Sequence, residues 1–453
     1  MSDKFNRGFV DDKGNSVKDS AYDLIHCIMT NVDGDQRDIR NMVGNITITE
    51  NIFSPSLVCQ LGIRDESNFL EEFNITGSES LEIKIITKSV GIERELDFLF
   101  YVQQYDDYAR SGSDNQVQAY TLIAVSEHGF IAPLKTITRS VNKSNTAIIK
   151  DIYENDLGVK KFKIEGTPSS NFRGIIPLSN PIVAAGNILK VTACDKNTPF
   201  LLFEDLSGTV RLASLRELNN RETNPVFKTF INTQTIKNAS GGSTQHFERS
   251  RQMTKVISNI GLAPSLQAKK GAFASNNVYV DIANKTVSEK IFNVNGAEDQ
   301  LNPEYTTSKK GSRTRGNLPE KIRDRIELVE TLAPANTVYH YINPNSFNTR
   351  DREKTMGEQE MEQAYISRAY ISAYDACSHK FTVMGDTFLN PGRTIELKFP
   401  KATDPIAYKK YTGKSDTDFF DKTLSGDYMI FTSVHSFING VHSTTIVAKT
   451  DSI

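Results

Sequence analysis

The chain has 453 residues, of which 38% are hydrophobic and 24% are charged, and its formal net charge is −2. This length allows about three or four domains, and the composition is typical of soluble globular proteins. Because the net charge is close to zero, it gives no electrostatic reason to expect binding to nucleic acid or to an anionic membrane.

Residues 1–38 are polar and contain no basic stretch followed by an apolar one, so we expect no secretory signal. We predict that they form a loosely held N-terminal arm. No apolar run in the chain approaches the ~18 residues of a membrane-spanning helix, and we expect no membrane insertion. Four cysteines without short spacing predict free thiols in a reducing compartment: Cys27, Cys59, Cys194 and Cys377.

Residues 39–135 are predicted to form a β domain, because hydrophobic and polar residues alternate in several short segments. This pattern is typical of an antiparallel sheet with one buried face. A short helix is predicted at residues 68–73, NFLEEF, between two strands. The predicted inward-facing positions are Ile46, Ile48, Leu57, Cys59, Leu61, Ile63, Leu81, Ile83, Ile85, Leu96, Phe98, Phe100, Val102, Tyr120, Leu122 and Ala124.

Residues 136–222 are predicted to form an α+β domain. Helical spacing of hydrophobic residues predicts a helix over 146–157 that ends at Gly158. Asn180 and Pro181 are typical of a helix start, with Asn as the cap and Pro in the first turn. Residues 199–215, PFLLFEDLSGTVRLASL, predict two strands joined by a tight turn at 206–208.

Residues 223–345 give weaker patterns. A helix is predicted over 241–258 after a glycine-rich entry, and alternation predicts a strand over 276–282. We assign 266–345 to an inserted domain. Its polar stretch 302–324 predicts an exposed loop, and contact with nucleic acid is disfavoured because the basic residues lack interleaved aromatic ones.

Residues 346–453 are predicted to form a second β domain together with 223–265. A helix is predicted over 358–370, and two strands flank a Gly/Pro turn within 380–400. The last element is a hairpin whose turn is Asn439-Gly440, since this pair supplies the positive φ angles of a type I′ turn. In the predicted register Ile438 faces Val441, Val434 faces Thr445 and Ser433 faces Ile446.

No catalytic or metal-binding pattern stands out. His435 and His442 lie on the two arms of the hairpin, but a metal site needs a third ligand, and no CxxC or HExxH occurs. Acid–base catalysis needs two carboxylates that face one cleft, whereas acidic pairs are far more common on solvated surfaces. The candidate pairs are Glu71 with Glu72, and Glu79 with Glu82; Gly241-Gly242 is a candidate anion-binding helix entry.

We therefore expect no enzyme, no catalytic residue, no metal and no cofactor. The site residues that we name are structural, the turn residues Asn439 and Gly440. A large β-rich chain without a catalytic signature favours assembly or binding.

Several stretches, in order, resemble one protein family. Residues 46–85 contain a G-x-E turn at 77–79, and residues 199–218 contain an aromatic and acidic strand followed by a glycine turn. Residues 383–400 contain GD-x-x-L-x-x-G at 385–392, and 424–452 contain SG-x-Y-x-I at 425–430. Residues 271–292 are similar to the inserted domain of the same family. The chain thus resembles the baseplate central hub proteins of contractile-tailed (myovirus) bacteriophages.

The resemblance implies a mainly β, α+β multidomain fold with two tail-tube-like antiparallel β-barrel domains, at 39–135 and at 223–265 with 346–453. It implies a homotrimeric ring that joins the sixfold tail tube to the threefold central spike and forms part of the DNA conduit. The implied partners are the tail tube protein, the central spike protein and other baseplate proteins, with DNA as passing cargo. The implied location is the virion tail baseplate, assembled in the host cytoplasm.

Three alternatives remain. The first is the hub of a related contractile injection system. The second is a peptidoglycan-degrading tail enzyme, which needs a carboxylate-bearing helical segment or a zinc-binding set. The third is a receptor- or carbohydrate-binding protein, which favours surface tryptophan, and the chain has no tryptophan.

Overall fold

The structure, a computed structural model, describes part of the chain. The described residues are 20–89, 92–111, 117–168, 171–190, 192–194, 198–232, 250–260, 274–281, 285–293, 337–341, 346–348, 367, 370–371, 374, 377–401, 420–421 and 424–450. The predicted loop 302–324 and almost all of the predicted helix 358–370 lie outside them.

The chain is mainly β, as the sequence predicts. The strands are β1 Ala21–Thr30, β2 Gln36–Asp38, β3 Val43–Asn51, β4 Val58–Asp65, β5 Ser80–Ser89, β6 Ile92–Ser111, β7 Val117–Ser126, β8 Ile137–Ser144, β9 Phe162–Glu165, β10 Asn171–Ser179, β11 Phe200–Glu204, β12 Val210–Ser214, β13 Thr229–Ile231, β14 Thr254–Ile260, β15 Ala274–Asp281, β16 Thr286–Asn293, β17 Thr337–Tyr341, β18 Ser346–Asn348, β19 Cys377–Met384, β20 Thr394–Lys398, β21 Gly426–Ile438 and β22 Val441–Thr450.

Helices are short and connect the strands. They are α1 Phe69–Glu72, α2 Glu127–Ile131, α3 Asn145–Asp151, α4 Pro181–Lys190 and α5 Leu215–Asn219, with a π-helical turn at Ile152–Asp156 and 3-10 turns at Arg40–Met42 and Ala132–Leu134. Within the described part of the chain, no helix has the length and apolar character needed to cross a membrane.

Eight strands close into a first barrel. Pairing runs around it in the order β3-β4-β7-β6-β5-β1-β22-β21 and returns to β3. The pairing between β1 and β22 involves few residues: Ala21 pairs with Val441, and the His442 N–H donates to the Ser20 carbonyl at 2.7 Å. All of the predicted inward-facing positions of residues 39–135 are buried in this barrel.

Six strands form a second barrel, in the order β13-β20-β21-β22-β19-β14. It closes where the Met253 N–H, just before β14, donates to the Ile231 carbonyl of β13 at 3.0 Å. The strands are antiparallel except β13 and β20, which run parallel. The hairpin β21–β22 belongs to both barrels, because β21 pairs with β20 over 426–429 and with β3 over 432–438.

An α+β unit, residues 137–219, packs beside the first barrel. It contains β8–β12 and α3–α5, and β9 runs parallel to β12. The predicted helix starts and stops are confirmed: Asn180 Oδ1 accepts the Ile182 N–H at 2.8 Å, and Gly158 adopts φ +72° after the π-helical turn. A separate three-stranded sheet of β15, β16 and β17 contains the strand predicted over 276–282.

Two predictions are wrong. Residues 21–38 are not a loose arm, because β1 pairs along its length with β5 and β2 pairs with β1. Residues 254–260 are not helical, because they form β14 and pair with β19. In both cases hydrogen bonding to a strand distant in sequence decides the local structure.

Candidate functional site

The candidate site is the buried junction where the β11–β12 turn (residues 205–209) meets the first barrel. The turn is shaped by Gly208, at φ +69°, and by Asp205, whose carboxylate accepts the Ser207 N–H at 2.9 Å. This geometry presents Leu206 at the tip. Leu206 is 1% exposed and packs within the core of the first barrel. Burial of a leucine side chain stabilises such an association by about 1.5–3 kcal/mol.

Glu50, near the end of β3, receives the turn. Glu50 lies on the same face of β3 as Ile46 and Ile48, which is the face toward the barrel core. Its carboxylate therefore points inward and is fully buried. Oε1 accepts the Leu206 N–H, and Oε2 lies 3.1 Å from His435 Nε2. A carboxylate from the first barrel therefore satisfies a backbone donor of the α+β unit.

His435 and His442 continue the chain of polar contacts through the shared hairpin. His435 Nδ1 lies 3.1 Å from His442 Nε2. His442 Nδ1 is buried and has no hydrogen-bond partner among the described residues. While Glu50 is ionised, the arrangement that leaves no N–H without an acceptor has His442 donating from Nε2 to His435, and His435 donating from Nε2 to Glu50.

The His442 ring is enclosed on two sides. On one face the Phe437 ring stacks at a centroid distance of 4.4 Å. On the other side is the backbone of Gly385, where a Cβ atom would lie 2.2 Å from His442 Cγ. Glycine is therefore required by close packing, and burial holds the pKa of His442 well below its ordinary value.

Glu204, at the end of β11, reaches in the opposite direction, from the α+β unit into the first barrel. Its Oε2 accepts the Leu57 N–H at 2.8 Å and the Ser126 hydroxyl. His128 Nε2 lies 3.6 Å from the same oxygen and donates to the Pro55 carbonyl at 2.7 Å. Glu50 and Glu204 thus cross-link the two units reciprocally.

Burial dominates the electrostatics of both carboxylates. It raises the pKa of Glu50, against the opposing effect of His435, and it raises the pKa of Glu204, against the opposing effect of His128. Asp205 lies close enough to raise both pKa values further. The junction is therefore a buried, acid-rich contact with two histidine neighbours.

The structure places the other candidate residues apart. Asn439 and Gly440 form the hairpin turn at φ +51° and +76°, and the cross-strand pairs of the hairpin follow the predicted register. Glu71 and Glu72 are exposed on α1, and Glu82 is exposed on β5. Gly241-Gly242 lies outside the described residues.

Glu79 is fully buried and accepts the Thr76, Gly77 and Ser78 N–H groups within its own turn. This contact explains the G-x-E pattern physically, because the carboxylate closes the turn that Gly77 enters at φ +92°. Over the residues that can be described, no group of three or more His, Cys, Asp or Glu side chains is arranged to hold a metal ion.

Sequence patterns did not identify Glu50 or Glu204 as residues of the site. A signal for Glu50 was available: ITITEN alternates, and Glu50 falls in the inward phase of that strand. For Glu204 there was none, because all five residues of β11 are buried and no alternation marks the strand.

No protein-family model and no curated protein matches the chain. Solved structures do match. The crystal structure of the tail protein from Neisseria meningitidis MC58 aligns with 95% of this chain and 97% of its own, with 9% identity and a TM-score of 0.51. The prophage MuSo2 43 kDa tail protein from Shewanella oneidensis aligns with 94% of this chain and 98% of its own, with 12% identity and a TM-score of 0.46. The first of these alignments shows that the chain shares the fold of the Neisseria meningitidis tail protein.

Proposed function

We propose that the chain is a structural baseplate protein of a contractile phage tail, a trimeric hub that joins the tail tube to the central spike. The observation that supports this proposal is the pair of β-barrels fused in one chain through a common hairpin. Similarity of fold to a tail protein over nearly the whole length of both chains supports it further.

The argument rests on symmetry. Three copies of a chain with two barrels present six barrels, so the ring matches a sixfold tube on one side. The ring itself retains threefold symmetry and matches a threefold spike on the other side. The α+β unit and the β15–β17 sheet then lie outside the barrel ring and contact the spike or other baseplate proteins, while DNA passes through the opening.

The proposal assigns no catalytic chemistry to the chain. Glu50 and Glu204 are buried and held by backbone donors and histidines, and neither has the access to solvent that a general acid or base needs. We expect no cleared band in a peptidoglycan zymogram. A cleared band would favour the tail-enzyme alternative.

The solution mass of the purified chain, measured by light scattering together with negative-stain images of the same peak, tests the proposal. We expect a species near three times 50.6 kDa with a central hole. A monomer that stays monomeric at all concentrations and also with a purified central spike protein would overturn the trimeric hub.

A further inference from the structure

The β11–β12 turn is held from both sides by buried carboxylates. Glu50 of the first barrel holds the Leu206 N–H of the turn, and Glu204 next to the turn holds the Leu57 N–H of the barrel. Leu206 itself sits in the barrel core. Withdrawal of the turn would break both contacts and expose both carboxylates to water.

The junction contains more acid than base. Glu50 faces His435, with His442 behind it, and Glu204 faces His128, with the Tyr153 ring against that histidine. Asp205 interacts electrostatically with both glutamates, and its carboxylate accepts the Ser207 and Thr209 N–H groups of its own turn. Two cations approach the turn: Lys161 Nζ donates to the Ser207 carbonyl at 3.3 Å, and Arg393, whose guanidinium lies over the Phe227 ring, interacts electrostatically with Asp205.

Three acids therefore meet two facing histidines in a site that excludes water. An ionised carboxylate is costly in such a site, and that cost is absent once the carboxylate is exposed. For Glu50 and for Glu204, burial raises the pKa above the ordinary value of 4.5. Each carboxylate thus holds a proton more tightly in the docked state than in water.

We propose that the junction is a proton-linked latch: docking of the β11–β12 turn into the first barrel takes up protons on Glu50 and Glu204, and undocking releases them. Acid then favours the docked state and alkali favours undocking. The docked state gains this stabilisation fully below the ordinary carboxylate pKa, and the gain is lost as the pH rises through the raised values. The latch depends on the fold and not on the proposed function.

The test is hydrogen exchange of the full chain between pH 4.5 and 8.5, corrected for intrinsic exchange rates. The reporters are the Leu57 and Leu206 amides, and the internal reference is the buried Ile39 amide of the first barrel, which donates to the Cys27 carbonyl at 2.9 Å. Each linked proton changes the docking equilibrium up to about tenfold per pH unit. We expect the protection of the reporters, relative to the reference, to fall as the pH rises above the ordinary carboxylate pKa of 4.5, by up to about tenfold per pH unit for each linked proton.

Glutamine variants sharpen the test. Glutamine has the shape of a protonated glutamate, keeps the acceptor oxygen and does not titrate. Glu50→Gln and Glu204→Gln should therefore each reduce the pH dependence of the reporter protection, and the double variant should abolish it. Glu79→Gln is the matched control, since Glu79 is equally buried but holds its own turn, away from the junction. It should leave the pH dependence of the reporters unchanged.

The latch is overturned if the reporter protection in the wild-type chain is independent of pH or rises with pH. It is also overturned if the folded double variant keeps the wild-type pH profile. The wild-type profile alone decides the sign, so the test holds even if a variant fails to fold by circular dichroism.

Discussion

At the scale of single residues, the contact between Gly385 and His442 is a close approach that no other residue type permits. A Cβ at residue 385 would lie 2.2 Å from His442 Cγ and 2.7 Å from its backbone oxygen. Backbone cannot move aside as a flexible side chain can. We expect Gly385→Ala to lower the free energy of unfolding by about 1–3 kcal/mol, the usual cost of overpacking.

Denaturant unfolding checks this prediction. Gly426→Ala is the matched control, because Gly426 lies in the hairpin that carries His442 and nothing stands within 4 Å of the point that a Cβ would occupy there. An equal loss of stability in the two variants would show that the ring contact does not matter.

His379 provides a second prediction at this scale. The ring is buried in the second barrel, between Ser258 at 2.8 Å from Nδ1 and Tyr428 at 3.1 Å from Nε2. Burial lowers the pKa of His379 from 6.5 to about 4. Because the unfolded chain takes up this proton first, the stabilisation from a neutral His379 is present above pH 6.5 and is lost as the pH falls toward 4.

A titration of the His379 C2 proton by NMR measures this directly, with an expected midpoint near pH 4. A midpoint for His379 at or above pH 6.5 would contradict the buried, neutral ring.

At the scale of elements, the hairpin turn sets the register of two barrels at once. Gly440 has φ +76° and nothing within 4 Å of the position of a Cβ, so a substitution there tests backbone conformation alone. We expect Gly440→Val to cost about 1–2 kcal/mol, because a β-branched residue is strained in the left-handed region.

Gly440→Asn is the control, since asparagine tolerates positive φ, as Asn439 already does at +51°. Thermal unfolding should rank the wild type and Gly440→Asn close together and Gly440→Val clearly lower. A Gly440→Val variant with an unchanged melting temperature would contradict the turn assignment.

The elements show why sequence patterns found some strands and missed others. Regular alternation predicted β3 to β7, because each strand keeps one phase. In β1 a bulge between Leu24 and His26 shifts the phase, so Tyr22 and Leu24 face inward before it and Cys27 and Met29 after it. The alternation is broken in the sequence although the strand is continuous, and a strict period of two does not detect it.

At the scale of the whole molecule, the barrels are not independent. One edge of β21 pairs with β22. The other edge is divided: its first half pairs with β20 of the second barrel, and its second half pairs with β3 of the first barrel. We expect both barrels to lose structure in one cooperative transition. Hydrogen exchange of the Gly440→Val variant checks this: protection should fall in β5 of the first barrel and in β19 of the second. Loss confined to one barrel would show that the barrels unfold separately.

The sequence predicts the parts of this architecture that depend on residues close together in the chain. The β domains, the α+β unit and the hairpin register come from local alternation and turn chemistry. The sharing of the hairpin and the Glu50–Leu206 contact depend on pairing over more than a hundred residues, which no local pattern encodes. The predicted domains at 39–135 and 346–453 therefore missed that the first barrel takes strands from both sides of its segment.

The shared hairpin has a consequence for the order in which the chain is made. Strands β3 to β7 are complete by Ser126, but β21, which must close their barrel, begins at Gly426, 300 residues later. At about 5–20 residues per second, a ribosome needs roughly 15–60 s to supply it. Through that interval the nascent first barrel has two open edges, at β3 and β1. Such edges pair readily with other strands, so we expect the nascent chain to be open to pairing with other chains until β21 is made.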